Sequence, residues 1–225
     1  MIHPYDNIDV IHGAATSALE LVEEVEDLDI VIAPVGGILL FSFQQTVATF
    51  TLNKRWRFVV WNKSCMQRKE ERDSCVWCRA QKVCSPRFIS FSLANALFRV
   101  DDAYRSFHSG KIEDNEDIST IADGLRTSLS DITLYLIRKY CDGIVLVEEE
   151  EILHAMKLMW ERMKIVVEPS GAVPLAALMR LAREKPELKG KKVGIIISGG
   201  NVDASVFFDK LGDQVEKNKR TQSKL

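Results

Sequence analysis

Short apolar runs rich in β-branched residues alternate along the chain with longer amphipathic segments. The apolar runs have the length and composition of buried strands and lie at 28–35, 143–147 and 193–197. The amphipathic segments have helical spacing of apolar residues and lie at 130–140, 149–164 and 170–185. This alternation predicts an α/β fold in which a mostly parallel sheet is flanked by helices.

Local signals add four further expectations. The capping-box spacing of Ser17 and Glu20 predicts a helix from 17 to about 25. Residues 38–50 have helical length, and Ser170 is expected to cap the helix that follows it. Residues 209–225 are polar, so we expect a mobile tail there.

The stretch 51–99 differs in composition from the rest of the chain. It is basic, its periodicity is poor apart from a strand-like run at 57–61, and it holds most of the cysteines and tryptophans. Its cysteines are Cys65, Cys75, Cys78 and Cys84. A zinc site and a nucleic-acid patch are alternatives for this stretch, but incidental cysteines are favoured because their spacing is irregular. We therefore interpret 51–99 as an atypical insert in one domain formed by 1–50 and 100–208.

The charge balance narrows the choice of partners. The formal net charge is −2, so the chain has no overall basic field for nucleic acid or an anionic membrane.

The expected location is cytoplasmic, because the sequence has no apolar run long enough to span a bilayer and no secretory signal at its start. The final Ser223-Lys224-Leu225 matches a peroxisomal address, so the peroxisome is the alternative location. A run of glutamates at 148–151 is expected to be a solvated helix start.

Four turns rich in glycine or serine point to a bound ligand. They contain Gly36-Gly37, Asp123-Gly124, Glu168-Pro169-Ser170-Gly171 and Ser198-Gly199-Gly200-Asn201. In open parallel sheets, ligands bind beyond the carboxyl ends of the strands, and glycine lets backbone N–H groups approach a phosphate. One such turn is typical of a sharp bend, but four together predict a phosphorylated ligand.

The same segments resemble a known family. Residues 120–128, 160–172 and 197–203 are similar to the serine racemase and serine/threonine dehydratase family of fold-type-II pyridoxal-phosphate enzymes. Shorter matches occur in the same order at 2–7, 16–20, 33–37 and 101–106. The resemblance implies a partial version of the tryptophan-synthase-β-like architecture, with 1–50 and 100–208 as the cofactor-binding domain.

The resemblance also implies roles for cofactor-binding residues. Gly36 and Gly37 would bind the phosphate of pyridoxal 5′-phosphate, and the Ser198 hydroxyl would hydrogen-bond the pyridine nitrogen. Gly124 would lie beside the cofactor and Glu168 near its ring. A neutral partner at the ring nitrogen suits racemisation and β-elimination, because it leaves that nitrogen unprotonated.

Further expectations concern effectors, substrate and assembly. Asp102 would be a ligand of a divalent cation, Mg²⁺ or Ca²⁺, and ATP is a second effector that the resemblance implies. The implied substrates are serine and threonine, and the implied assembly is a homodimer. The implied reactions are interconversion of L- and D-serine and, as a side reaction, loss of water and ammonia from serine.

The sequence departs from the family in the catalytic part. The Schiff-base lysine and the opposite-face serine of the family are expected to lie outside this chain, so no catalytic residue is assigned. The alternative lysines Lys54, Lys63 and Lys164 lack the motif around a Schiff-base lysine. Ile38 and Leu39 stand where the family has two more glycines of the phosphate loop.

The middle of the chain departs as well. Residues 48–99 match nothing in the family by inspection, and Ala96 stands where the family has a metal-binding glutamate. We expect this stretch to replace one strand of the family's sheet, and we interpret the chain as a partial or abnormally spliced product. Two functions follow: an impaired racemase and ammonia-lyase, or a catalytically dead partner that dimerises with an intact enzyme.

Overall fold

A computed structural model describes residues 6–35, 87–93, 100–115 and 118–222. The strands are β1 (Ile30–Pro34), β2 (Arg87–Leu93), β3 (Ile144–Val147) and β4 (Val193–Ile195). The α-helices are α1 (Ile8–Glu24), α2 (Asp102–Ser109), α3 (Asp131–Tyr140), α4 (Glu149–Leu158), α5 (Pro169–Glu184) and α6 (Ala204–Gln222). A π-helical turn, Met159–Met163, continues α4, and 3₁₀ turns lie at Asp123–Leu125 and Pro186–Leu188.

The described strands form one parallel sheet in the order β3-β2-β1-β4. Ile32 at the middle of β1 pairs in register with Ile89 of β2 and Ile195 of β4. The predicted α/β fold with a parallel sheet is therefore confirmed, and so are the predicted strands at β1, β3 and β4.

Strand β2 corrects the interpretation of 51–99. Residues 87–93 belong to the sheet and lie between β1 and β3, whereas we expected this stretch to replace a strand. The strand has the sequence Arg-Phe-Ile-Ser-Phe-Ser-Leu, a short run in which apolar and polar residues both occur. Its hydrophobic pattern is therefore too weak to predict a strand in this polar stretch. The predicted helix at 38–50, the predicted strand at 57–61 and the four cysteines of 51–99 lie outside the described residues.

Successive residues of β1 are buried on opposite faces of the sheet, as the two-residue period of a strand requires. Ile30 and Ile32 pack into the core that α4 and α5 cover. Val31 packs against α1, and Ala33 packs against α2 and α3. Helices therefore cover both faces, which explains why β1 is apolar at every position.

Helix α1 begins earlier than the sequence predicts. Its cap is Asn7, whose side-chain oxygen accepts from the backbone N–H groups of Asp9 and Val10 at 2.9 and 3.2 Å. Ser17 lies inside the helix and donates its hydroxyl to the Ala14 carbonyl at 2.9 Å. The predicted capping box at Ser17 is wrong, because a serine within a helix can hydrogen-bond back to the preceding turn.

Helices α3 and α4 follow their predicted ranges, whereas the start of α5 differs. Ser130 caps α3 and accepts from the Thr133 N–H at 3.3 Å. Helix α5 is capped by Glu168 and has Pro169 as its first residue, where a missing N–H costs nothing. Ser170 is therefore inside the helix rather than its cap, which frees its hydroxyl for another contact.

The C-terminal segment is helical, and its predicted mobility stays a prediction. Helix α6 runs to Gln222, through most of the segment expected to be a mobile tail. Phe207 is buried and stacks on Trp160 with 5.5 Å between ring centroids, and Leu211 one turn later packs against the same core. Because these two apolar residues are four positions apart, they lie on one face of α6, and that face packs against the core.

In the described part of the chain, none of the helices is both long and apolar enough to cross a membrane.

Candidate functional site

Three of the predicted turns meet in one place. They are the 3₁₀ turn around Gly124, the first turn of α5 and the segment that follows β4. The Gly124 N–H donates to Ser170 Oγ at 3.1 Å. A Cβ added to Gly171 would collide with the backbone carbonyl oxygen of Ser198. The structure thus brings together Gly124, Glu168 and Ser198, while their roles in cofactor binding remain predictions.

The Gly124 turn leaves almost no room for a side chain. A Cβ on Gly124 would lie 3.0 Å from Ser170 Oγ and 4.0 Å from Glu168 Oε1. Its N–H also donates to Oδ1 of the preceding Asp123 at 2.9 Å. Glycine therefore lets this turn approach the start of α5 closely.

Glu168 joins the start of α5 to the segment after β4. Its carboxylate accepts from the Asn201 backbone N–H and lies directly against Gly199, which has φ +59°. Burial, and then the negative charge of Asp123, raises the pKa of the Glu168 carboxyl. Because the carboxylate fills the space beside the Gly199 Cα, any Cβ at that position would collide with it.

The raised pKa of Glu168 predicts how stability depends on pH. Between the ordinary glutamate value of 4.5 and the raised value, the folded state binds more protons than the unfolded state. The contribution of Glu168 to stability therefore falls as pH rises through this range. In Glu168→Gln the group cannot titrate, so the unfolding free energy of the variant minus that of the wild type should increase across the range.

Denaturant unfolding from about pH 4 to pH 8 measures this difference, and the exposed Glu161→Gln serves as the control. If the unfolding free energies of wild type and Glu168→Gln changed with pH in parallel, protonation of Glu168 would not be coupled to stability.

Ser198 is the serine predicted to meet the pyridine nitrogen. It is 9% exposed and follows β4 by a few residues. Its hydroxyl makes no hydrogen bond to another residue in the described ranges, so it keeps both donor and acceptor capacity. Gly36 and Gly37, the predicted phosphate-binding residues, lie outside the described residues, and their role stays a prediction.

Asp102, the predicted cation ligand, begins helix α2 and is not part of the three turns described above. It is 2% exposed, and its Oδ1 accepts from the Asn115 side-chain amide at 2.8 Å. Its Oδ2 is buried without a hydrogen-bond partner in the described ranges, and burial raises the pKa of the carboxyl. Among the described residues, no group of three His, Cys, Asp or Glu side chains assembles into a metal site.

The contacts of several polar side chains were not predicted from the sequence. Ser170 was expected to cap α5, but it holds the Gly124 turn instead. Glu149, in the run 148–151 that we expected to be solvated, accepts from the Thr120 hydroxyl at 2.6 Å. Glu151 of the same run accepts from Arg183 at 2.7 Å. The predicted helix start is confirmed and Glu150 is exposed, but Glu149 and Glu151 make tertiary contacts instead of being solvated. Contacts across about thirty residues have no signal in sequence spacing.

Lys164 was one of the alternative lysines for covalent attachment. It ends the π-helical turn with φ +61°, and its Nζ donates to the Glu161 carbonyl at 2.7 Å. The lysine is thus hydrogen-bonded to its own helix end. Lys54 and Lys63 lie outside the described residues.

Comparison with known proteins finds the same family that the motifs of the site resemble. The family model described as pyridoxal-phosphate dependent enzyme matches residues 86–199. A serine racemase of Dictyostelium discoideum is 41% identical over 208 residues, which cover 91% of this chain and 53% of the relative. A β-hydroxyaspartate dehydratase of Paracoccus denitrificans is 36% identical over 211 residues, covering 93% and 53%.

A solved structure extends the likeness to the fold. The crystal structure of the Dictyostelium discoideum serine racemase superposes with a TM-score of 0.62 at 39% identity, covering 90% of this chain and 53% of the other. The chain thus spans about half the length of the curated relatives it matches. The family match begins at residue 86, which corrects the expectation that nothing before residue 100 in the middle stretch matches the family.

Proposed function

Because the chain belongs to the family of pyridoxal-phosphate-dependent enzymes, we propose that it forms one side of the cofactor site of an enzyme that interconverts L- and D-serine. Loss of ammonia from serine or threonine is the proposed second reaction. The observation that carries the proposal is the meeting of the Gly124 turn, the start of α5 and Ser198 in one place. The relatives support the substrate class, since the serine racemase and the hydroxyaspartate dehydratase are both named for amino acids with a β-hydroxyl group.

The residues of the site fit the cofactor. Gly171 and Gly199 are packed so closely that a Cβ at either position would collide with Ser198 or Glu168. The two glycines therefore let the start of α5 and the segment after β4 pack against each other, which holds Ser198 beside the first turn of α5. The Ser198 hydroxyl, on a residue that is 9% exposed, can donate a hydrogen bond to the ring nitrogen.

Pyridoxal phosphate, when bound, supplies an electron sink for chemistry at the amino-acid α-carbon. In the proposed arrangement the Ser198 hydroxyl donates to the pyridine nitrogen and keeps its own proton on Oγ. A carboxylate at this position would instead favour a protonated nitrogen and a stronger sink. The neutral serine therefore favours reactions that need a limited sink, which is the reason for proposing racemisation and β-elimination together.

Glu168 and Ser170 have supporting roles in this proposal. Ser170 Oγ holds the Gly124 N–H, and the Glu168 carboxylate holds the Asn201 N–H, so both turns that face the cofactor are tied to α5. The lysine that forms the covalent link is proposed to lie outside the 225 residues, as the resemblance implies.

Cofactor binding tests the proposal directly. Pyridoxal phosphate titrated into the 225-residue chain should change its absorbance and quench its tryptophan fluorescence in a saturable way. Ser198→Ala should weaken binding by up to about tenfold, the effect of losing one hydrogen bond. The matched control is Ser109→Ala, an exposed serine at the end of α2 outside the three segments.

Failure of the wild-type chain to bind pyridoxal phosphate would contradict the proposal. Borohydride reduction followed by mass spectrometry then tests where the lysine lies, since no covalent adduct is expected on this chain alone. Assays with L-serine and L-threonine measure racemisation and ammonia release side by side.

The remaining expectations belong to the same proposal. A homodimer is proposed from the resemblance, and sedimentation of the chain tests it. A divalent cation at Asp102 and ATP as an effector are proposed on the same ground, with the buried Oδ2 of Asp102 as support for the cation. A cytoplasmic location is proposed, with the peroxisome as the alternative, and a fluorescent fusion with and without Leu225 separates them.

A further inference from the structure

Glu149 contacts the turn that carries Gly124. It is the first residue of α4, yet its carboxylate lies against a segment 29 residues earlier in the chain. Oε1 accepts from the Thr120 hydroxyl at 2.6 Å. The Ile121 backbone N–H lies 3.1 Å from Oε2 and 3.3 Å from Oε1. Two donors of the turn therefore share one carboxylate.

Thr120 transmits this contact into the turn. It is buried, and its Oγ1 accepts from the Ala122 N–H at 3.1 Å. Its carbonyl oxygen accepts from Arg126 Nη2 at 2.6 Å, which joins the two ends of the turn. The segment 120–126 is thus held by Glu149 at its base and by Ser170 at Gly124.

The position of Glu149 makes the contact favourable. A carboxylate in the first turn of a helix interacts favourably with the positive end of the helix dipole. Hydrogen bonds to an ionised acceptor are roughly twice as strong as those between neutral groups. Glu149 therefore links the start of α4 to the turn through both of its carboxylate oxygens.

We propose that Glu149 is a positioning residue that anchors the turn 120–126 and thereby sets where Gly124 faces the cofactor. The cofactor part of this inference rests on the proposed function, whereas the anchoring does not. Glu149 acts through Thr120 and Ile121 rather than by touching the ligand.

Amide hydrogen exchange of the full chain without cofactor tests the anchoring. Glu149→Ala should raise the exchange rate of the Ile121 and Ala122 amides about tenfold or more, because the Ile121 N–H loses a charged acceptor and Thr120 loses its orientation. Glu149→Gln keeps the shape and one acceptor, so its increase should be smaller. Thr120→Val removes the other side of the contact and should reproduce the effect of Glu149→Ala.

The matched control is Glu150→Ala, which removes an exposed carboxylate from the same helical turn. Equal exchange in Glu149→Ala and wild type would overturn the inference. So would an equal increase in Glu149→Ala and Glu150→Ala, because the effect would then belong to the start of α4. If Glu149→Ala fails to fold, Glu149→Gln and Thr120→Val still decide between these outcomes.

A second measurement tests the consequence for Gly124. Pyridoxal phosphate should bind Glu149→Ala about tenfold more weakly than the Glu150→Ala control. Unchanged affinity in a variant with a loosened turn would overturn the positioning role. If the wild type binds no pyridoxal phosphate, the proposed function fails, while the exchange of the Gly124 amide still shows whether Glu149 sets this turn.

Discussion

Replacing Gly171 by alanine is expected to destabilise the protein by about 1–3 kcal/mol, the usual range for overpacking a tight site. The added Cβ would collide with the Ser198 carbonyl oxygen and lie 2.9 Å from a methyl group of Val167. The Ser198 carbonyl belongs to the main chain, so the collision is relieved only if the backbone of α5 or of the segment after β4 shifts. We therefore also expect pyridoxal phosphate to bind about tenfold more weakly, because the Ser198 hydroxyl moves with its carbonyl.

Gly13→Ala is the matched control for this prediction. Gly13 is also a helical glycine, but a Cβ there would meet nothing within 4 Å. Its replacement should stabilise the protein by about 0.5–1 kcal/mol, the ordinary effect of alanine in a helix. Denaturant unfolding measures the change in unfolding free energy for both variants. If Gly171→Ala stabilised the protein as Gly13→Ala is expected to do, the close packing of α5 against Ser198 would be contradicted.

Replacing Ile32 by alanine should cause the largest loss of stability, about 2–5 kcal/mol. Ile32 is 0% exposed and lies at the centre of β1, between β2 and β4. The removed atoms leave a cavity in the core between the sheet and helices α4 and α5. Thermal and denaturant unfolding of the variant measure the loss.

The control for Ile32 is Ile132→Ala on α3, where the isoleucine is 42% exposed. An exposed substitution of this kind should stay within about 0.5 kcal/mol of the wild type. A loss at Ile132 as large as that at Ile32 would show that β1 is not the centre of the core.

The sequence predicts the sheet where a strand is buried on both faces. β1 and β3 are continuous apolar runs, because helices cover them on either side, and such runs stand out from amphipathic helices. β2 lies at the centre of the same sheet but is interrupted by serines, so composition alone does not reveal it. The predicted start of α1 at Ser17 was wrong for a different reason, because the serine and glutamate spacing of a capping box also occurs inside helices.

The site is predictable to the extent that its motifs are local. Gly124 and Ser198 lie in short segments whose order and composition identify them. The contact between Thr120 and Glu149 is not local, since it joins a turn to the start of a helix 29 residues later. Only the packing of α4 against the rest of the fold creates that contact, and no periodicity or spacing encodes it.

The order of strands in the sheet has a consequence for synthesis of the chain. β1 leaves the ribosome early, but its neighbour β4 starts only at Val193, and Lys191 and Lys192 pair there with Asp29. Until that point β1 has an open edge, and its apolar residues are exposed to other nascent chains. A product whose translation stops before β4 is therefore expected to aggregate, whereas one that stops after residue 195 can close the sheet.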